Sequence, residues 1–401
     1  MLYKCLMDRR DFLAAAPAVT ARLRARESPY QVGAYYFPNY HVDPRNETMH
    51  GKGWTEWELV KRGEPKFPGH YQPRKPLWGY EDESDPRVFA RKIDAAAGHG
   101  LTHFIFDWYW YNDGPYLNRG LENGYLKAAN NSRLRFCLMW ANHDWLEIHP
   151  AKLKVKPPLL YPGAVTRNTF DGMTDYIIST YFKHPSYWKI AGAPYFSVYE
   201  LFRLVEGLGG VAKTRDALDA FRKKTRAAGF PDLHLNAVTW GVKILPGEKS
   251  VGNPKELLAA LGFSSTTSYV WIHHVALPEF PVTGYEYVAK RAQEYWRRAS
   301  AENGLPYHPN VTMGWDSSAR TCQSDVFTNQ GYPFMPVLGG NTPAAFRKAL
   351  AAARQFLDSR PDQPRILNIN AWNEWTEGSY LEPDSVHGMK YLEAVKEVFG
   401  A

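Results

Sequence analysis

Short runs of β-branched and aromatic residues alternate along this chain with segments whose apolar positions recur at helical spacing. Strands that alternate with helices in this way are typical of a parallel sheet with crossover helices. Strands are predicted at 31–37, 103–107, 135–140, 194–199, 234–238, 264–270, 310–314 and 365–371. Since eight is the strand number of a TIM barrel, the pattern predicts an α/β fold of the (β/α)8 type.

Helix ends between the strands can also be read from the sequence. Ser84-Asp85-Pro86 and Thr342-Pro343 each place a capping residue and a first-turn proline before an apolar stripe of helical period. Two elements are weakly defined: the second helix, which contains Gly120 and Gly124, and the strand at 264–270. These ends fit helices that return the chain from one strand to the next.

Three connections are much longer than the rest, at 38–84, 141–167 and 315–341. Loops of this length are usually functional or disordered, and these are rich in Trp, Tyr, Pro and Gly. In a barrel all three extend the carboxyl-terminal face, where barrel enzymes have their active sites. A doubly wound open sheet is the alternative fold, although no GxGxxG or GxxxxGK[ST] loop follows any strand.

Composition adds an unusual share of aromatic residues, with 14 Trp, 25 Tyr and 20 Phe in 401 residues. Most buried aromatic rings are simply core, but flat apolar faces with polar edges also suit amphipathic ligands. All the tryptophans except Trp188 and Trp296 fall at the carboxyl end of a predicted strand or in the connection after it. That distribution favours a binding role at the mouth of the barrel.

Charge and cysteine content exclude several classes of partner. The formal net charge is +7, but basic residues form no stripe interleaved with aromatic ones, so nucleic acid is not an expected partner. Three cysteines without CxxC spacing predict neither a disulfide framework nor structural zinc. The pair His273-His274 has no third ligand at a recognisable spacing, so neither a metal nor another cofactor is predicted.

The amino terminus resembles an export signal. Asp8-Arg9-Arg10-Asp11-Phe12-Leu13 is a twin-arginine pattern, and an uncharged run follows at 12–21. We therefore predict a leader at 1–28, a single catalytic domain at 29–401, and a periplasmic or extracellular location without stable membrane insertion once the leader is removed. The alternative is an ordinary frayed helix at the amino terminus and a cytoplasmic protein.

The last predicted strand runs into Trp372-Asn373-Glu374-Trp375-Thr376-Glu377-Gly378. Two carboxylates at a barrel mouth are well placed for acid/base chemistry, and flanking tryptophans would lower the local polarity and raise one pKa. Carboxylates in unlike environments are how glycosidases divide acid from base or nucleophile. The alternative interpretation is a solvated acidic loop.

Several motifs in the same order resemble family-99-like glycoside hydrolases of the WbsX type, which are relatives of the endo-α-mannosidases. The matching segments are 33–41, 51–57, 67–73, 140–142, 370–378 and 381–384. Many members carry a glycosyltransferase label. The resemblance implies a (β/α)8 barrel that cleaves glycosidic bonds with retention, without metal or organic cofactor.

The resemblance also implies roles for the two glutamates. In the mannosidase relatives the substrate's 2-hydroxyl replaces an enzyme nucleophile and a 1,2-anhydro sugar forms. Glu374 would be the base that takes the proton from that hydroxyl, and Glu377 the acid that protonates the leaving oxygen. Endo-α-mannosidases carry a glutamate just beyond the third strand, and many WbsX-type chains read W-A-N-E there. This chain has Trp140-Ala141-Asn142-His143, so the resemblance by itself does not imply mannose specificity.

Candidate substrate-binding residues lie in these motifs or at strand ends. Asp107 ends an apolar strand, where an unpaired acid would be desolvated, and a hydroxyl-binding or pKa-setting role follows. For Tyr35 the alternative is core packing, and for His41 it is a structural role with the ring hydrogen-bonded inside the protein. For Trp54, Glu56 and Trp57 the alternative is that they anchor the first long loop to the barrel. The full set is Tyr35, His41, Trp54, Glu56, Trp57, Asp107, Tyr109, Trp140, Asn142, His143, Trp315, Trp372, Asn373, Trp375 and Glu382.

The sequence therefore predicts a retaining glycoside hydrolase that cleaves α-glycosidic bonds in a poly- or oligosaccharide, with a mannoside-like substrate as one candidate. The first alternative is a glycosyltransferase or transglycosylase of surface-polysaccharide assembly. The second is a glycan-binding pseudoenzyme.

Overall fold

The computed structural model describes residues 29–240 and 254–400, so the predicted leader at 1–28 lies outside the described residues. Parallel strands form one sheet around the centre of the molecule. In chain order they are β1 (Gln31–Tyr36), β2 (His103–Tyr111), β3 (Arg135–Trp140), β4 (Ala193–Val198), β5 (His234–Val238), β6 (Ser265–Thr267), β7 (Tyr307–His308), β8 (Asn310–Thr312) and β9 (Ile366–Asn370).

The sheet closes on itself. From β1 to β6 each strand pairs in parallel with the next, and β9 pairs in parallel with β1, Ile366 opposite Gln31. Segments β7 and β8 flank Pro309 and act as one strand, because Tyr307 lies opposite Thr266 of β6 while Thr312 lies opposite Asn370 of β9. The eight-stranded barrel is thereby confirmed, and the open-sheet alternative is wrong.

Helices surround the barrel and begin where the sequence predicts. Asp85 caps α3, its carboxylate accepting a hydrogen bond from the Arg87 amide at 2.8 Å, and Thr342 caps α9 in the same way. The helices are α1 (Pro44–His50), α2 (Trp57–Arg62), α3 (Pro86–Gly98), α4 (Arg167–Ile177), α5 (Leu201–Gly207), α6 (Val211–Ala227), α7 (Pro254–Leu261), α8 (Tyr285–Glu302), α9 (Pro343–Asp358) and α10 (Lys390–Phe399). Among the described residues, no helix is long and apolar enough to cross a membrane.

The weakly predicted helix after β2 is a single π-helical turn, Gly120–Tyr125. A Cβ atom on Gly124 would lie 2.0 Å from the backbone oxygen of Glu83, so only glycine lets the two backbones approach. The predicted strand at 264–270 shortens to Ser265–Thr267.

The long loops after β3 and β8 are folded against each other over the carboxyl-terminal end of the barrel. A small apolar cluster of Leu146, Ile148, Ala151 and Phe334 joins them. A short 3₁₀ helix, Ser317–Arg320, lies in the second of these loops and is buried throughout. The loops therefore form a fixed wall above the barrel.

Replacing Gly33 by alanine is expected to lower the free energy of unfolding by about 1–3 kcal/mol, since overpacking a tight core costs that much. A Cβ atom on Gly33 of β1 would lie 2.3 Å from Nε2 of His103 on the neighbouring strand. Gly172, exposed in α4, has nothing within 4 Å of such an atom, so Gly172→Ala is expected to be neutral or slightly stabilising. Urea unfolding of both variants measures the difference, and equal effects would contradict the packing described.

Candidate active site

An open pocket of about 720 Å³ lies at the carboxyl ends of the barrel strands. Its lining consists of strand-end residues and of the two folded loops: Phe37, Asp107, Tyr109, Met139, Ala141, His143, Asp144, Trp145, Leu146, Ile148, His149, Tyr199, Tyr269, Val270, His273, Trp315, Arg320, Tyr332, Glu374 and Glu377.

Arg320 is the cation at the bottom of this pocket and contacts three glutamates. One terminal nitrogen lies 2.7 Å from Oε1 of Glu374, the other bonds Oε1 of Glu377, and Nε lies 2.9 Å from Oε1 of Glu56. All four side chains are buried. A single guanidinium therefore holds both predicted catalytic carboxylates and a third acid behind them.

The three acids differ in how readily they ionise. Burial opposes ionisation of Glu56, but Arg320 and hydrogen bonds from Thr376 and Asn39 hold its pKa below the ordinary value. Burial raises the pKa of Glu374 well above its ordinary value, and the charge of Glu377 adds to this. Burial also raises the pKa of Glu377, although Arg320 opposes the shift. Glu56 thus neutralises Arg320, and the pair Glu374 and Glu377 retains a proton more readily than free carboxylic acids do.

Two tyrosines connect the acid pair to the pocket walls. Tyr332 donates a hydrogen bond to Oε1 of Glu377 at 2.8 Å. The hydroxyl of Tyr269 lies 2.8 Å from Oδ2 of Asp107 and 3.2 Å from Oε2 of Glu374. A phenol carries one proton, so Tyr269 donates to one of these carboxyls and accepts from the other when that one is protonated.

The pocket also presents hydrogen-bond acceptors to a ligand. Oδ1 of Asp107 is buried and bonds to no other described residue, which leaves it available to a ligand hydroxyl. Nδ1 of His143 lies 2.8 Å from the carbonyl oxygen of Asp144, so this nitrogen carries the proton and Nε2 is the acceptor. Burial lowers the pKa of His143, which keeps the ring neutral.

Six residues predicted from the sequence line the pocket together: Asp107, Tyr109, His143, Trp315, Glu374 and Glu377. Sequence reasoning missed Arg320, Tyr269 and Tyr332. Tyr269 stands at the end of the predicted sixth strand, a position that could have identified it. Arg320 and Tyr332 lie inside a long loop, in no motif that marks them.

The predicted sugar contacts Trp372, Trp375 and Glu382 do not line the pocket. Both indole nitrogens donate to the Glu382 carboxylate, at 3.2 and 2.7 Å, and Lys92 pairs with that carboxylate at 2.7 Å. The Trp375 ring stacks on Tyr380, with 3.8 Å between centroids. The indoles are buried outside the pocket lining, and the direct contacts to the acids come from Arg320, Tyr269 and Tyr332.

Other predicted residues support the pocket from behind. Tyr35 donates to the carbonyl of Ser268, and its ring packs against Tyr269 with 4.7 Å between centroids. His41 is buried beside Gly120, and burial lowers its pKa to about 4. Glu56, as described, faces Arg320.

The remaining predicted contacts are structural bridges. Asn142 exchanges two hydrogen bonds with the backbone of Glu200, both at 2.7 Å. Asn373 does the same with the backbone of Phe37, at 2.8 Å. The other three are Trp54, stacked on His50, Trp57, which donates to the carbonyl of Glu81, and Trp140, which donates to the carbonyl of Trp110. None of these five residues lines the pocket, and their contacts described here are with other parts of the protein.

Comparison with known proteins gives one family match. The family model described as glycosyltransferase WbsX matches residues 32–395. Two curated relatives from strains of Xanthomonas campestris pv. campestris, each named uncharacterized protein WxcX, are 28% identical over 373 residues, which is 92% of this chain and 49% of each relative. The chain thus spans about half the length of the curated relatives it matches.

Similar solved structures include the GH99 endo-α-mannosidase from Bacteroides thetaiotaomicron, with a TM-score of 0.54 and 16% identity. That match covers 92% of this chain and 96% of the other. A structure described as a glycoside hydrolase-like protein has a TM-score of 0.61 at 16% identity and covers 94% of this chain and 95% of the other. At these identities the likeness shows a shared barrel fold.

Proposed function

Since this chain belongs to the WbsX glycosyltransferase family, we propose that it acts there as a glycoside hydrolase that cleaves α-glycosidic bonds in a poly- or oligosaccharide. The observation that carries the proposal is the buried pair Glu374 and Glu377, which retains a proton at the mouth of a barrel. Glycoside hydrolysis needs one protonated and one ionised carboxyl beside the bound sugar. The larger pKa shift favours the shared proton on Glu374 in the free site, so the proposed reaction begins from the form in which that proton lies on Glu377.

In the proposed reaction the anomeric configuration is retained and the substrate's 2-hydroxyl is the nucleophile. Glu374 takes the proton of that hydroxyl while its oxygen attacks the anomeric carbon, and Glu377 protonates the leaving oxygen. The product of this step is a 1,2-anhydro sugar. Water then attacks the anomeric carbon, losing a proton to Glu377, while Glu374 returns its proton to the 2-oxygen. Each proton transfer of this kind contributes typically about 10²–10⁴-fold.

Arg320 supports this cycle by contacting both carboxylates at once. Its charge favours the ionised form of whichever glutamate has lost its proton, so the negative charge can move between them within a buried site. Tyr332 donates to the Glu377 oxygen and fixes its orientation.

The pocket walls fit a glycan. Tyr109, Trp145, Tyr199 and Trp315 offer aromatic faces, while Asp107 and His143 offer acceptors for hydroxyl groups. A mannoside-like substrate remains one candidate. His143 is a neutral acceptor where WbsX-type relatives carry a glutamate, so we expect a sugar recognised through a hydroxyl rather than through a positive charge.

Activity is expected to fall on the alkaline side at a pH above the ordinary glutamate pKa of 4.5, because burial raises the pKa of the acid Glu377. The acid works only when protonated, so a raised pKa extends activity upward in pH. The measurement is kcat/KM against pH for a cleaved glycan. An alkaline limb centred near 4.5 would contradict the raised pKa.

A glycosyltransferase is the second candidate, which the description of the matched family favours. The two are separated by incubating the protein with α-linked oligosaccharides, with and without sugar nucleotides. We expect reducing ends to appear without a sugar nucleotide. Extension that requires the nucleotide would establish the transferase, and saturable binding without turnover would establish a glycan-binding protein.

A further inference from the structure

His50, Glu147 and His149 come together beside the pocket, although they belong to two different loops. One ring nitrogen of each histidine and one carboxylate oxygen of Glu147 all lie within 4.8 Å of one another. His50 ends α1 in the connection after β1, whereas Glu147 and His149 lie in the connection after β3. His149 also lines the pocket.

Both imidazoles are held by tryptophans. The His50 ring stacks on Trp54 with 4.2 Å between centroids and 29° between planes, and the His149 ring stacks on Trp145 at 5.3 Å and 12°. Stacking fixes the orientation in which each ring offers a nitrogen lone pair to a cation.

Two carboxylates lie at the cluster, Glu147 within it and Glu56 beside it, and Glu56 also pairs with Arg320. Within the two described stretches of the chain, no lysine or arginine forms an ion pair with Glu147, so its carboxylate is not already neutralised. Oε2 of Glu56 lies 3.8 Å from Nε2 of His149 and places a buried carboxylate beside that imidazole. Carboxylates next to ligating histidines commonly strengthen metal sites.

We propose that His50, Glu147 and His149 bind a divalent transition-metal ion of the zinc class at the edge of the pocket. Two imidazoles and one carboxylate are an established donor set for Zn²⁺. Ligand atoms about 2.0–2.1 Å from a tetrahedral ion lie roughly 3.3 Å from one another. No pair of ligand atoms therefore has to close by more than about 1.5 Å. His50 and Glu147 are half-buried and have room for that movement.

The ion would join the long loop after β1 to the long loop after β3 and so stiffen one wall of the pocket. Three protein ligands leave one coordination position of the ion open for an oxygen donor. Because His149 lines the pocket, the ion would lie next to a bound glycan. The proposed two-glutamate chemistry does not use this ion, so the metal site goes beyond the proposed function and is tested without substrate.

The test uses the full chain without a polyhistidine tag, stripped with chelator and titrated with zinc chloride by calorimetry. We expect one zinc per chain, a Tm that rises with zinc, and visible absorption bands of a four- or five-coordinate site when cobalt replaces zinc. His50→Ala and Glu147→Gln should each weaken zinc binding at least about tenfold. His99→Ala, after α3 and outside the cluster, should bind as the wild type does.

Glu147→Gln preserves shape, so its circular dichroism and its Tm in chelator should match the wild type and exclude a folding defect. The proposal is overturned if the wild-type chain shows no saturable zinc binding. It is equally overturned if both cluster variants bind zinc as tightly as His99→Ala. Because no readout involves glycan cleavage, a failed hydrolase assay would leave this result unaffected.

Discussion

Replacing Glu377 by glutamine is expected to lower turnover of a true substrate by at least about a hundredfold. Glutamine keeps the size of the side chain and can still bond Tyr332 and Arg320, but it has no proton to give to the leaving oxygen. Glu64→Gln, the same chemical change at an exposed position, should leave turnover unchanged. The measurement is kcat on the best glycan from the oligosaccharide assay.

A substrate with an activated leaving group refines this test. Such a group departs without protonation, so the first step should recover in Glu377→Gln while the second step, which needs Glu377 as the base toward water, stays slow. Wild-type rates of Glu377→Gln on the natural glycan would remove Glu377 from the mechanism.

Replacing Arg320 by methionine is expected to lower the free energy of unfolding near neutral pH by about 3–5 kcal/mol, the typical cost of removing one partner from a buried ion pair. The change leaves Glu56, Glu374 and Glu377 buried without their cation. Glycan turnover should be lost as well, because both carboxylates lose the group that orients them. Urea unfolding measures the stability change.

The stability lost in Arg320→Met is expected to depend on pH. Arg320 holds the pKa of Glu56 below its ordinary value. The stability that this ion pair contributes is therefore fully present above the ordinary glutamate pKa, and it is lost as the pH falls through the lowered pKa of Glu56. The gap between wild type and Arg320→Met should therefore shrink on acidification. Arg87→Met, which removes an exposed pair with Asp85, should change little at any pH. Equal stabilities for Arg320→Met and Arg87→Met would contradict the buried cluster.

Strand order and the acid pair were predictable because both depend on local sequence. Alternating β-branched runs and helix caps mark each βα unit, and the NEWTE segment carries its own signature. Arg320 was not predictable. It lies 54 residues before Glu374 in a loop without periodicity, and the barrel, not sequence spacing, brings the two together.

Trp375 is the opposite case, a residue that the sequence placed in the pocket and that does not line it. Trp375 is adjacent to Glu374 in sequence, and for that reason it was expected in the pocket. Trp375 begins a short 3₁₀ helix, Trp375–Glu377, in which residues three apart share a face, so Glu374 and Glu377 both line the pocket while Trp375 does not. Two of the fourteen tryptophans, Trp145 and Trp315, line the pocket.

The stereochemistry of cleavage tests the two-glutamate mechanism most directly. An α-linked glycan that the protein cleaves is followed by proton NMR, so that the first-formed anomer is seen before mutarotation. We predict that the α-anomer accumulates first, without any added sugar nucleotide. First appearance of the β-anomer, or reaction only when a sugar nucleotide is present, would contradict the mechanism.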